Sequence, residues 1–343
     1  MSQTTVNSED EAQKYNLARF VDAQAREYTA ALAELNNGRK RSHWMWYIFP
    51  QIAGLGSSPN SQHYAIRSLD EARAYLSHPL LGSRLRECAA VVLGTEGKSA
   101  RDIFGTPDDV KLHSCLTLFA QVTEPEGVFP LVLAKYFGGQ LDEQTLRLLA
   151  ASAQQQAVLQ SLSEYVPYAD DDRRSVEETA QFVRDNARFG ERTLEEGHVT
   201  ASAWVVDAAG ENALLTHHAK LNKWVQLGGH LEAGDGSVAE AARREAREES
   251  GLTSVRLVSE RIFDVDVHPI PARGEVPAHF HYDLRFLCVA DRGEPLHISD
   301  ESHDVAWVAL AEVPTLTEER SVLRMLAKSA AGQEQKQEKR AGV

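Results

Sequence analysis

GGHLEAGDGSVAEAARREAREESGL, residues 228–252, decides how the second half of this chain is read. Its last part places three carboxylates, Glu245, Glu248 and Glu249, within five residues and ends on Gly251-Leu252. On a helix these positions are three and four apart, so all three side chains share one face. Like charges placed this way repel by roughly a few tenths of a kcal/mol per pair. A cation converts that repulsion into a binding site, and an all-oxygen donor set suits a hard divalent ion, Mg²⁺ or Mn²⁺, better than zinc. Such an ion keeps waters and takes phosphate oxygens from a substrate.

The flanking residues fit a helix that starts and stops here. Asp235 or Ser237 is suited to cap the start, and Val238, Ala241, Ala242 and Ala246 form a small apolar face for packing. Gly251 stands where a left-handed C-terminal cap is expected, with Leu252 behind it. Gly228-Gly229 permits a tight loop and a close backbone approach.

The stretch resembles the signature of the Nudix hydrolases: a glycine, a spaced acidic residue, then Arg-Glu-x-x-Glu-Glu-x-Gly and an aliphatic residue. Gly229, Arg244-Glu245, Glu248-Glu249 and Gly251-Leu252 match it. Asp235 stands where the family usually has glutamate, and the loop is one residue longer, which leaves open which acidic residue Arg244 orients. The resemblance runs from about Ser175 to Pro314 through GHVTASAWVV, LLTHHAKLNKWVQLGGH, DVDVHPIPARG and HFHYDLRF. It implies metal-dependent hydrolysis of a pyrophosphate linkage in a nucleoside diphosphate derivative such as ADP-ribose, a dinucleotide or a nucleotide sugar. Glu245, Glu248 and Glu249, with Gly229 beside them, would hold Mg²⁺ or Mn²⁺. Glu248 or Glu249 would serve as base to the attacking water, and Arg244 would orient Glu245 or an acidic loop residue. Nudix domains often dimerise, so a homodimer is among the states the resemblance allows. The competing reading is a sensor or scaffold that binds a nucleotide without turnover; the intact carboxylates favour catalysis.

At 343 residues the chain has room for two domains, each able to bury a core. Hydrophobic residues at 43% and charged residues at 25% are ordinary for a soluble globular protein. No apolar run approaches the ~20 residues of a membrane span, and the polar start MSQTTVNSEDEAQKYN has no secretory apolar region. Cys88, Cys115 and Cys288 are isolated, so neither a disulfide framework nor a zinc motif is suggested, and a cytoplasmic setting fits. A net charge of −14 argues against non-specific binding to nucleic acid or anionic membrane.

Residues 15–162 carry apolar positions at three- and four-residue spacing, the pattern of an all-α domain. Residues 163–174 break it and read as a linker, and residues 175–330 form the second domain, an α+β fold whose mixed sheet lies between helices. Residues 1–14 and 331–343 read as disordered. The first domain's densest stretch, GRKRSHWMWYIFPQ, is either a buried aromatic core with a basic edge or a ligand cleft at Lys40, His43, Trp44, Trp46 and Gln51. With FGTPDDVKLHSCLTLF and FPLVLAKYFGG it resembles, over residues 15–155, a family of helical bacterial domains of unknown function, sometimes mislabelled calpastatin.

In the second domain, Asp264, Asp266 and His268 alternate with valines, and His279, His281 and Asp283 alternate on the next strand. A hairpin through PIPARGEVPA would bring the two polar faces together, either lining a pocket that reads phosphate or sugar or forming an ordinary solvated face. A His-x-His transition-metal site is the weaker reading there, since the carboxylates already provide a hard-cation site. Trp224, Arg273, His281, Asp283 and Glu301 complete the substrate-contact candidates; Trp224 is equally a packing residue, and Arg273 equally a solvated one.

Overall fold

A computed structural model of the chain describes residues 10–274, 276–298 and 302–341. Glu301, one of the substrate-contact candidates, lies outside the described residues. The chain divides into two compact units, ending at residue 153 and beginning at residue 154.

The first unit is helical: α1 (Ala18–Asn36), α2 (Met45–Ile48), α3 (Pro59–His63), α4 (Leu69–Ser77), α5 (Leu81–Gly94), α6 (Ala100–Phe104), α7 (Asp108–Ala120), α8 (Val128–Phe137) and the start of α9 (Glu143–Glu164). A helical segment at 10–14 precedes them, where the sequence suggested disorder. Trp44, Phe49 and Phe104 pack together in the core, Trp44 fully buried. The Trp44 indole N–H donates to Glu34 Oε2 at 2.9 Å, and Lys40 pairs with Asp108 at 2.7 Å. The cleft reading of this stretch is therefore corrected: Trp44 has no free face for a base, and the Lys40 charge is already matched. His43 is exposed, and Trp46 and Gln51 are half-buried. Burial works against ionising Glu34, but the Ser42 hydroxyl, the Arg41 and Ser42 backbone N–H groups and the Trp44 indole outweigh it and hold its pKa at about 2.

The division between units falls inside α9, ahead of the expected linker at 163–174. Leu149 of α9 belongs to the first core, whereas Val158 and Leu162 belong to the second. One uninterrupted run of good helix formers crosses the boundary, so composition does not mark it. Helix α10 (Asp170–Asp185) follows within the second unit.

The second unit contains a mixed seven-stranded sheet of β1 (Gly197–Asp207), β2 (Asn212–His218), β3 (Lys223–Val225), β4 (Leu227–His230), β5 (Arg256–Ile270), β6 (His279–Ala290) and β7 (Ser302–Ala309). The order is β3-β2-β1-β6-β5, with β4 on β1 and β7 on β2, and the β1–β6 pair is parallel. Helix α11 (Val238–Ser250) lies between β4 and β5 in sequence; α12 (Val313–Leu316) and α13 (Arg320–Ala341) close the chain. Helix α13 runs past the expected end at residue 330, as its Gln-, Glu- and Lys-rich continuation favours helix.

Strand β1 is buried on both faces and reads differently on each. Val199, Ala201, Ala203 and Val205 join Val238, Ala241, Ala242 and Ala246 of α11 in one core. On the other face Trp204 joins Val322 and Met325 of α13, and its indole donates to Ser329 Oγ at 2.7 Å. The sheet is thus sandwiched between helices, as expected. No described helix is long and apolar enough to cross a membrane.

Asp172, in the first turn of α10, is fully buried and ties that helix to α13. It accepts from the Tyr165 hydroxyl at 2.6 Å, the Tyr168 and Ala169 N–H groups at 3.0 and 2.8 Å, and the Lys328 ammonium at 3.0 Å. Burial works against its charge, but these donors outweigh it and hold the pKa at about 2. Asp172→Ala is expected to lower the unfolding free energy by about 3 kcal/mol, measured by urea titration, because it strips a buried cation of a partner. In the wild-type chain a depressed carboxylate pKa favours folding above the unfolded value of about 3.9. That contribution is lost as pH falls from about 4 towards 2, and the variant should show less of that acid-dependent loss.

Candidate functional site

Helix α11 forms where the sequence places it, with sharp ends. Ser237 is the N-cap, its hydroxyl accepting from Glu240 N–H at 3.2 Å, and Gly251 closes the helix at φ +73°. Because α11 packs on the apolar face of β1 while β4 pairs with β1, the glycine pair of β4 is brought against the helix. Gly228 N–H donates to Glu249 Oε2 at 3.0 Å, and Glu249 is buried at 7% exposure. A Cβ on Gly229 would meet the Glu245 carboxylate at 2.5 Å, so a side chain here would displace that carboxylate. Burial pushes the Glu245 pKa up against the pull of Arg244.

Arg244 organises the rest. Its Nε and Nη2 donate as a fork to the two oxygens of Asp235, each at 3.0 Å, and Nη2 also donates to His230 O at 2.9 Å. Its Nη1 donates to Glu245 Oε1 and Glu248 Oε2, both at 3.0 Å. The hydrogen bonds to Asp235 raise the Arg244 pKa first, with Glu245 adding to them, and Asp235 is lowered by the same contact against its burial. The open question of the acidic partner is answered: the loop carboxylate Asp235 takes the guanidinium fork, while Glu245 and Glu248 share the remaining nitrogen.

The donor chemistry fits a hard divalent ion. Glu245 and Glu248 already converge on a cationic group, and the burial that disfavours ionised Glu245 is relieved by positive charge. The Glu248 side chain is 58% exposed and faces solvent, beside the half-buried Glu245 and the buried Glu249.

The remaining candidates are not gathered at this point. Trp224 is half-buried on β3, stacked on His217 with ring centroids 5.1 Å apart and packed against the α13 side of the sheet. Arg273 is exposed in the turn between β5 and β6. That turn does join a hairpin, with His268 opposite His281 and Asp266 opposite Asp283. Its polar face is neither solvated nor an open pocket at Asp283, which is 2% exposed. Asp283 accepts from Thr200 at 3.0 Å, Ser202 at 2.8 Å and Arg285 Nε at 2.7 Å. Arg285 also reaches Asp264 and Asp266, and Arg324 and Lys328 of α13 reach Asp264. The substrate-contact reading of Asp283 is corrected accordingly: its lone pairs are taken by an internal ionic network covered by α13.

His281 lies among other histidines. His198 on β1 and His230 on β4, neither singled out from the sequence, stand within 4.8 Å of it by ring nitrogens. A signal existed in both, a histidine at the polar end of HVTAS and one straight after Gly228-Gly229, but strand pairing is needed to bring them together. A cleft of about 520 Å³ is lined by Glu195, Glu196, Pro269, Ile270, His279 and Tyr282 among others, and by none of the α11 carboxylates.

Residues 196–327 match the family described as NUDIX domain, and residues 14–149 match a family described as protein of unknown function, DUF1810. A conserved hypothetical protein of Mycobacterium tuberculosis, known from its crystal structure, is 53% identical over 40% of this chain and 98% of its own, with a TM-score of 0.39. A Caenorhabditis elegans Ap4A hydrolase in a binary complex is 19% identical over 40% of this chain and 97% of its own, TM-score 0.33. A NUDIX-family hydrolase of Clostridium perfringens is 22% identical over 39% and 97%, TM-score 0.31. No curated protein matches the chain.

The contact between Gly229 and Glu245 gives a direct test. Gly229→Ala is expected to push the Glu245 carboxylate aside and weaken Mn²⁺ binding at this site by about tenfold or more. Titration calorimetry of the folded variant measures it, with far-ultraviolet circular dichroism unchanged.

Proposed function

The chain is a Nudix-type pyrophosphohydrolase joined to a DUF1810 helical unit, and from that premise we propose that it cleaves the diphosphate linkage of a nucleoside diphosphate derivative with Mg²⁺ or Mn²⁺. The observation that carries the reading is the glycine pair of β4 seated against Glu249 and Glu245 while Arg244 links the helix to Asp235. A divalent ion bound there supplies charge neutralisation at the phosphate oxygens.

The chain's own residues divide the remaining work. Glu249, oriented by Gly228 N–H, and Glu245, held by Arg244 in the space Gly229 leaves, are ligands with restricted freedom to turn away. Such pre-organisation lowers the ordering cost when the substrate and ion arrive. Arg244 keeps the 232–235 loop closed on α11 and places Glu248 by a single hydrogen bond. Glu248, solvent-facing, is placed to accept the proton of the attacking water, and the diphosphate is cleaved as that water's oxygen bonds to phosphorus. A nucleoside diphosphate linked to a sugar, a second nucleoside or another group fits this chemistry; the choice among them rests on groups beyond the carboxylates.

The intact chain should be incubated with Mg²⁺ and, separately, ADP-ribose, diadenosine polyphosphates, nucleotide sugars and coenzyme A, with products read by phosphate-selective detection. Glu248→Gln is expected to lower kcat by roughly 10²–10⁴-fold with little change in KM, and Glu249→Gln to abolish turnover through loss of the ion. Saturable binding of a nucleotide with no product, in the presence of Mg²⁺ or Mn²⁺, would instead establish a sensor.

A further inference from the structure

We propose that His198, His230 and His281 form a second metal site, distinct in chemistry from the glutamates, that takes a transition ion of the zinc class. The sheet register assembles it. In the parallel β1–β6 pair His198 lies opposite His281, and in the β1–β4 pair His230 lies opposite Thr200, so all three imidazoles emerge on the face away from α11. Their candidate ligand atoms lie within 4.8 Å of one another, the one such triad of histidine, cysteine or carboxylate ligands among the described residues. The ring centroids are 4.8 to 5.3 Å apart. Three neutral imidazoles suit zinc and its neighbours and leave a fourth position open.

His198 supplies the independent sign of a ligand. It is 3% exposed, and neither ring nitrogen has a hydrogen-bond partner among the described residues. A buried neutral imidazole has one N–H donor and one lone pair, and leaving both unmatched opposes folding. Next along the same face, Thr200 and Ser202 by contrast both donate to Asp283. A metal bond satisfies what no protein group does. Burial first, and neighbouring histidines and Arg192 after it, hold His198 and His230 at about 4, and burial with His198 and His268 holds His281 at about 2. The rings are therefore neutral, with lone pairs available, near pH 7.

The surroundings support an ion on balance. Arg192 and Lys220 repel positive charge at His230, while Asp266 lies behind the cluster, bonded to His268 Nδ1 at 3.1 Å, with the His268 ring 5.6 Å from that of His281. The His279 ring stands 5.1 Å from that of His198, a neighbour for the fourth position. An ion here joins β1, β4 and β6. Strand β4 also carries Gly228 and Gly229, so the site braces from behind the backbone that positions Glu249 and Glu245.

The test uses the intact chain, stripped with a chelator and dialysed into metal-free buffer. Zn²⁺ is added in the presence of millimolar Mg²⁺, the protein is gel-filtered, and bound zinc is counted by plasma emission; Co²⁺ is added in a parallel sample for its visible spectrum. The expected result is one Zn²⁺ per chain and the intense visible bands of a low-coordinate, nitrogen-ligated Co²⁺. His281→Gln and His198→Gln should each weaken retention by about tenfold to a hundredfold, while Glu245→Gln and Glu249→Gln retain zinc as the wild type does. His230→Asn serves as the third variant, and circular dichroism selects those that fold. Absence of retained zinc in the folded wild-type chain overturns the proposal. So does zinc lost from the glutamate variants and kept by the histidine variants. Neither readout involves hydrolysis, so the result stands apart from the fate of the nucleotide reading.

Discussion

The second unit depends on one close approach, that of the β4 backbone to the carboxylates of α11. It exists because β1 presents only Val199, Ala201, Ala203 and Val205 to a helix whose own inner face is Val238, Ala241, Ala242 and Ala246. Small residues on both partners allow the helix to sit low on the sheet, and glycine at 229 removes the last side chain from the contact. Crowding three acids here, with Glu249 buried and Glu245 half-buried, would be unfavourable on its own. Here it is sustained by a backbone N–H at Glu249 and by the Arg244 guanidinium at Glu245 and Glu248. The electrostatics of the site thus follow from a packing fact, the absence of side-chain volume along one stripe.

Local pattern made this part legible. The capping serine, the closing glycine and the three- and four-residue spacing of the carboxylates all act within one or two helical turns, so sequence distance stands in for spatial distance. The β5–β6 hairpin was legible for the same reason, with alternation placing His268 and His281 on one face before the register was known. What was not legible required non-local pairing. His198, His230 and His281 are far apart in sequence and meet only because β4 and β6 flank β1, β6 in parallel. The partner of Arg244 was undetermined because three acids lay within reach, and only loop geometry assigns the fork to Asp235.

Two other readings show how composition misleads at a boundary or a core. Trp44 sits in a basic, aromatic run that suits a nucleotide cleft, yet its indole is enclosed and its N–H is fixed by Glu34. Its neighbour Lys40 is matched by Asp108, so the run is an aromatic core with a basic edge. The division of the chain inside α9 leaves no mark in the sequence because a helix that changes cores keeps one period throughout, and only the partners of Leu149 and Val158 differ.

The polar face of the sheet carries the last step. Alternating acids and histidines on β5 and β6 admit either solvent or a pocket, and α13 replaces both over much of the face by bringing Arg324 and Lys328 to Asp264. A buried ionic network of this kind is a poor source of net stability, since desolvation offsets most of the attraction. It does demand one register, because a slip of a single residue would turn Asp264, Asp266 and Asp283 towards the apolar core under α11. The same register that sets Asp283 opposite Thr200 sets His281 opposite His198. Along β1 the face therefore changes from Trp204 under α13, through Ser202 and Thr200 bonded to Asp283, to His198 with its nitrogens unmatched. A strand whose polar groups are otherwise matched in turn ends on one that calls for a ligand from outside the chain, and two more imidazoles stand where that ligand would lie.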